Sequence, residues 1–264
     1  MSEEIVIRSC HDLAEFHSCV DLQREIWGED LLEVEPATMF VVAAHTGGQV
    51  IGAFAGGALV GFVLAVAGVR DGWAYLHSHM AGVRDGYRDR GLGRKLKLFQ
   101  REEALRRGID LIEWTFDPLE VRNAHFNLNR LGAICRRYLP NLYGVTTSPL
   151  HRGLRTDRLV AEWYLEEQRV VALADDPAAD METPGRPGSE SLPGEEVDSV
   201  RIAVPPQVPY GVGGDISAAT TLQDRLRADF TEWFSKGYVA IGFEGGAQPA
   251  YLLLLGKHHS LGRA

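Results

Sequence analysis

Cysteine is scarce in this chain. Only Cys10, Cys19 and Cys135 occur among 264 residues, an odd number at no metal-ligand spacing. That excludes a disulfide framework and a cysteine-built zinc site, and it points to free thiols in a reducing compartment. Long apolar runs are missing too: none reaches the roughly 20 residues that a membrane-spanning helix needs. Positive charge is short. Lys and Arg number 27 against 36 Asp and Glu, a net charge of −9. The broad basic surface of a nucleic-acid binder is therefore excluded. The first residues, Met-Ser-Glu-Glu, carry no signal-peptide pattern, so the expected location is the cytoplasm. Apolar content of 45% and charged content of 24% are ordinary for a globular protein.

What positive charge there is gathers in one place. Residues 80–100 take an apolar strand (Trp73 to Val83) into an Arg- and Gly-rich turn, and the turn opens a helix. A helix start exposes N–H groups with no partner and carries about +0.5 of an elementary charge. Gly91 and Gly93 have no Cβ to keep a bulky anion from the backbone. Arg88, Arg90, Arg94 and Lys95 add formal charge. The turn reads as a site for a phosphate or pyrophosphate.

Two familiar phosphate patterns fail here. A Walker loop needs Lys and then Ser or Thr after its last Gly, but Leu92 follows Gly91. A dinucleotide fingerprint needs a third Gly where Leu96 stands. The pattern that fits is Arg88-x-x-Gly91-x-Gly93 after a strand ending in Val83. It resembles the acetyl-CoA signature of the GNAT N-acetyltransferase superfamily, Q/R-x-x-G-x-G/A.

The wider element order is similar to that of the same family over roughly residues 3 to 168. Ile5 to Arg8 reads as a strand, and Asp12 with Glu15 starts a helix with Leu13, Phe16, Val20 and Trp27 on one face. A second helix runs from Pro36 to His45. Val50 to Phe54 and Leu59 to Val66 form a hairpin about Gly56-Gly57. After Trp73 to Val83 come a helix over Leu92 to Arg107 and a strand over Ile109 to Phe116. A helix follows from Pro118 to Gly132, then a strand over Arg158 to Leu165. The elements by themselves give an α/β or α+β class. The resemblance implies a mixed central sheet flanked by helices. Pro, Gly and acidic residues dominate from Ala174 to Ser199, and a strand-helix-strand-strand extension follows. The expected domains are an acyl-CoA-binding domain over 1–170, a flexible linker over 171–199, and an extension over 200–264 packed on the core.

The resemblance also implies the chemistry. Backbone at Ala81, Gly82 and Val83 would pair with the pantetheine arm. The turn of Arg88, Arg90, Gly91, Leu92, Gly93 and Arg94 would take the pyrophosphate, and Asn123 would bond the cofactor arm. The co-substrate is acetyl-CoA or another acyl-CoA, with no metal: His77 and His79 with a remote His125 make a poor ligand set. Acyl transfer to an amine needs a base and an acid. His79 and His77, two apart on a strand and so on one sheet face, are base candidates, with Glu113 and Asp117 as alternatives. The family often places an acidic Tyr four residues before the Gly that closes the fourth helix. Counting back from Gly132 gives Leu128, so Tyr143 and Tyr138 are the substitutes. Both also fit as ordinary strand aromatics. Asn123, Asn127 and Arg130 share a face that reads as solvated, with substrate binding by Asn123 and Asn127 as the alternative if the face borders a cofactor cleft. The resemblance would let Glu29, Asp30, Glu33 and Glu35 border the acceptor cleft, as the first helices do in the family; by themselves they read as a solvated acidic loop and imply no cationic substrate.

Three functions fit. The first is transfer of an acetyl group from acyl-CoA to a small-molecule amine or amino acid, with no nucleic acid or membrane partner and a homodimer as the assembly considered. The second is a non-catalytic acyl-CoA sensor, suggested by Leu128. The third is a phosphate-binding domain unrelated to CoA.

Overall fold

The computed structural model describes residues 4–28, 34–144, 153–176, 199–206 and 216–256. The chain divides into two compact units, 1–114 and 115–264.

The first unit opens with β1 (Ile5–Ser9), α1 (Leu13–Trp27) and α2 (Ala37–His45). The α1 start is capped as its sequence predicts. Asp12 Oδ1 accepts the Glu15 N–H at 2.9 Å, and Glu15 Oε2 accepts the His11 N–H at 2.8 Å. Strands β2 (Gln49–Ala55), β3 (Ala58–Arg70) and β4 (Trp73–Val83) then pair antiparallel in series, with β1 on the outer edge of β2. A 3₁₀ turn (Asp85–Tyr87) leads to α3 (Leu92–Arg106) and β5 (Leu111–Phe116). The helical crossover returns β5 parallel to β4, which makes the sheet mixed.

Both faces of β2, and of β3 from Leu59 to Ala65, are buried, which is why these stretches read as continuous apolar runs. Phe54, Phe62 and Leu64 pack with Phe16, Val20 and Leu22 of α1 and Phe40 of α2. Ile51, Ala53, Val60 and Val63 pack with Leu92 and Leu96 of α3 on the other side. Strand alternation sends Phe62 and Val63 to opposite layers. Each fully buried side chain of this size contributes about 1.5–3 kcal/mol before ordering costs.

In the second unit α4 (Val121–His125) runs straight into a π-helical turn (Phe126–Arg130). There follow β6 (Ile134–Leu139), β7 (Arg158–Tyr164), α5 (Gln168–Asp175), β8 (Ser199–Ala203), α6 (Ile216–Ser235), β9 (Tyr238–Glu244) and β10 (Ala250–Leu255). The strand order is β7-β6-β9-β10-β8, antiparallel throughout. The residues after 199 thus share a sheet with residues 134–164. The buried Tyr251 hydroxyl donates to the Pro118 carbonyl at 2.8 Å, and the Phe243 N–H donates to Asn129 Oδ1 at 2.8 Å. Phe230 of α6 stands edge-on to Tyr251 with centroids 5.0 Å apart.

Two elements are additions to the sequence reading. Strand β6 hides behind Arg136 and Arg137, whose guanidiniums reach Glu162 of β7 at 2.9 and 3.1 Å. Helix α5 occupies the start of the expected linker. It buries Val170 and Leu173 over Gly132, where a Cβ would lie 3.0 Å from Leu173 Cδ1. The rest of that linker, 177–198, lies outside the described residues. Asn127 is also a correction, being buried rather than solvated. The π-helical turn rotates the chain away from the 3.6-residue period on which the solvated face was drawn.

Strand β4 is pressed against α1 at Gly82. A Cβ there would meet Ile26 Cδ1 at 2.8 Å, Trp27 Cη2 at 3.0 Å and Phe62 Cε1 at 3.2 Å. Gly82→Ala is expected to cost about 1–3 kcal/mol through overpacking. Urea denaturation measures it, and unchanged stability would contradict this close approach.

Candidate functional site

Strand β4 carries most of the site in the first unit. It pairs with β3 from Trp73 to Val83, but with β5 only at Leu76↔Ile112 and His77↔Glu113 among the described residues. From Ser78 onward the β5-side edge of β4, including Ala81, Gly82 and Val83, has no ladder partner there. The register with β3 slips between Leu64↔Met80 and Ala65↔Ser78, so His79 is the extra residue of a β-bulge.

The turn after β4 is held by its own side chains. Arg88 Nε donates to the Val83 carbonyl at 2.9 Å, and Arg88 Nη1 pairs with Asp85 at 2.6 Å. The Arg88 N–H is used within the turn, bonding the Asp85 carbonyl at 3.2 Å. The Arg90 guanidinium lies 5.8 Å from the centre of the Tyr87 ring. Gly91 then adopts φ 74, a left-handed conformation, and serves as the N-cap of α3. It offers no side chain to the first helical N–H groups, and a Cβ at either Gly91 or Gly93 would meet nothing within 4 Å. Leu92 is buried against the sheet and anchors the turn. Arg94 is buried as well. An anion approaching α3 along its axis therefore finds open space, amide dipoles and glycine backbone.

The two histidines come together as strand geometry predicts. The His77 and His79 ring centroids are 6.4 Å apart. His79 is exposed, and its Nε2 lies 2.9 Å from Glu35 Oε1. Burial holds His77 below the usual histidine range, and the neighbouring His79 pushes it the same way. Glu113, the register partner of His77, is buried and gripped by Arg70 through two bonds of 2.7 Å. That bidentate clamp occupies both carboxylate oxygens of an alternative base.

Ser78 points to the opposite face from the histidines and meets a buried cation that residue spacing alone does not reveal. The Lys97 ammonium of α3 is buried, donates to Gln100 Oε1 at 2.8 Å and Ser78 Oγ at 3.1 Å, and sits 3.8 Å from the centre of the Trp114 ring. Burial pushes it down to about 7.

The remaining candidates belong to the second unit. The Tyr143 hydroxyl is 2.9 Å from Thr115 Oγ1, and its backbone N–H donates to Thr156 Oγ1 at 2.9 Å. Its side chain is exposed. Tyr138 instead donates to Asp157 Oδ2 at 2.8 Å and stacks on Phe230. Burial and that carboxylate push its hydroxyl well above the usual tyrosine range. Asp157 also takes Arg227, which makes this a tied structural network. Asp117 accepts the Leu119 N–H at 2.8 Å, and burial pushes its carboxyl up to about 6. Asn123 is exposed on α4, and Leu128 is fully buried. The Cys135 thiol is fully buried and pushed up by burial, which suits packing rather than nucleophilic attack.

Comparison with solved structures finds similar folds. The YncA protein of Salmonella typhimurium, solved with its cofactor acetyl-CoA, gives a TM-score of 0.50 at 18% identity, over 62% of this chain and 95% of its own. An Acinetobacter baylyi protein assigned to the acetyltransferases gives 0.50 at 15% identity, over 63% of this chain and 95% of its own. A GNAT-family acetyltransferase of Streptococcus pneumoniae gives 0.48 at 16% identity, over 60% and 98%. No protein-family model matches the sequence, and no curated protein matches it.

The folded chain keeps His77 neutral more strongly than the unfolded chain does. Below about pH 6.5 the unfolded state therefore binds the extra proton, and stability falls as pH drops through that value. His77→Asn is expected to flatten this loss. Urea titrations of both proteins between about pH 7 and about pH 5 measure it, and parallel curves would remove the assignment.

Proposed function

We propose, from the premise that this chain carries the fold of the GNAT acetyltransferase superfamily, that it moves an acetyl or other acyl group from acyl-CoA to the amine of a small molecule or amino acid. One observation carries the reading. Strand β4, open along its β5-side edge from Ser78, leads directly to a helix start capped by a left-handed glycine with open space in front of it. The open edge suits the pantetheine arm, which can bond Ala81, Gly82 and Val83 as an added strand. The helix start suits the pyrophosphate.

In this reading His79 takes the ammonium proton, since it is exposed on β4 and Glu113 is committed to Arg70. The amine then attacks the thioester carbonyl. A strand-end amide of β4 stabilises the developing oxyanion, a role whose loss costs on the order of 3 kcal/mol in other enzymes. The C–S bond breaks and the thiolate takes a proton. Of the two candidate tyrosines in the second unit, Tyr143 has the freer hydroxyl for donating that proton, because Tyr138 is bound to Asp157 and pushed above the usual tyrosine range. A second reading, an acyl-CoA sensor, draws support from Leu128, a fully buried apolar side chain where the family often has its acid.

Two measurements separate these. Acetyl-CoA and CoA are expected to raise the melting temperature, and Gly91→Glu to abolish that rise by filling the phosphate space with bulk and negative charge. Stabilisation by ATP alone, or retained CoA affinity in the variant, would refute the site. Free-thiol release over a panel of amines then tests transfer. His79→Ala is expected to lower turnover by about 10²-fold or more with little change in acetyl-CoA affinity. Binding with no thiol release from any amine favours the sensor.

A further inference from the structure

Of the four acids read from the sequence as a solvated loop, Glu29, Asp30 and Glu33 lie outside the described residues, and Glu35 lies within them. It lies just before α2 and is half-buried. Gln23 of α1, itself buried, grips its backbone from both sides. Gln23 Nε2 donates to the Glu35 carbonyl at 3.1 Å, and the Glu35 N–H donates to Gln23 Oε1 at 2.9 Å. A buried amide that spends both ends on one residue fixes where that residue's side chain starts. The carboxylate then reaches His79, with Oε1 2.9 Å from Nε2. His79 is the bulged residue of β4, so its ring has no regular ladder position to set its angle.

An ionised carboxylate only accepts hydrogen bonds. At 2.9 Å from Glu35, Nε2 must therefore carry the proton, which leaves the lone pair on Nδ1. We infer that Glu35, clamped by Gln23, is a positioning residue that fixes the His79 tautomer and ring angle and presents Nδ1 as the proton acceptor. Its catalytic consequence rests on the acyl-transfer reading; its effect on the ring does not. As the amine gives its proton to Nδ1, the imidazolium that forms lies against a carboxylate already in place, at no cost of reorganisation.

The test reads the ring first and turnover second. Long-range proton–nitrogen NMR correlations on the ¹⁵N-labelled chain at alkaline pH, where a histidine ring is neutral, are expected to show His79 as the Nε2–H tautomer. In Glu35→Ala the ring is expected to exchange between both tautomers. A Nδ1–H ring in the wild type, or an unchanged ring in Glu35→Ala, would overturn the inference whatever the activity. In thiol-release kinetics Glu35→Ala is expected to lower kcat about tenfold or more, short of the loss in His79→Ala, with the KM for acetyl-CoA unchanged. Where the wild type releases thiol, equal kcat in Glu35→Ala would likewise overturn it. The expected ring behaviour in a wild type that releases no thiol would uphold the Glu35 assignment and overturn the acyl-transfer reading instead.

Discussion

The β3–β4 ladder is the constraint on which the first unit depends. It runs from Gly61↔Val83 to Arg70↔Trp73, and it holds β4 in place without help from β5 over most of its length. That division of labour frees the other edge of β4. It also lets the strand end in a turn whose geometry is set locally, by Arg88 on the Val83 carbonyl and by the left-handed Gly91. An edge strand is ordinarily a liability, because its open N–H and C=O groups invite unwanted pairing. In this chain that edge, without a ladder partner among the described residues, leads to a helix start whose glycines have open space where a Cβ would stand.

The two faces of β4 hold different electrostatic assemblies. On one face His77 and His79 meet Glu35 and, through register, Glu113 with its Arg70 clamp. On the other, Ser78 meets the buried Lys97, with Gln100 and Trp114 about it. Burial acts in the same direction on His77 and Lys97: it lowers each because the charged form loses its hydration. A bidentate Arg–carboxylate pair with both oxygens occupied is a fixed structural charge. A carboxylate bound through one oxygen to a half-exposed histidine can still respond when that ring takes a proton.

Much of the first unit was legible because its signals are local. The Asp12 cap, the Gly91 helix start and the turn from Arg88 to Gly93 each depend on residues within a few positions of one another. The histidine pair was legible from two positions two apart on one strand, but the bulge that carries His79 was not. Strand β6 escaped because Arg136 and Arg137 interrupt its apolar run, and the carboxylate that accommodates them lies on another strand. The burial of Asn127 escaped because a single π-helical turn shifts the face on which it lies. Glu35 was legible only as one of four similar acids beside the acceptor cleft or in a solvated loop, and the grip of a distant amide singles it out.

The sequence by itself determined the glycine-capped helix start that follows β4, the α/β class, and which strand carries the histidines. These follow from backbone propensity, glycine conformation and the two-residue period of a strand, all of which act over short range. Only the tertiary structure decided the state of each polar group. It tied Glu113 to Arg70 and Tyr138 to Asp157, buried Lys97, and left His79 facing Glu35. The reason is that charge and hydrogen bonding are set by partners brought from distant positions and by the loss of water around them, and neither is written in the spacing of residues along the chain.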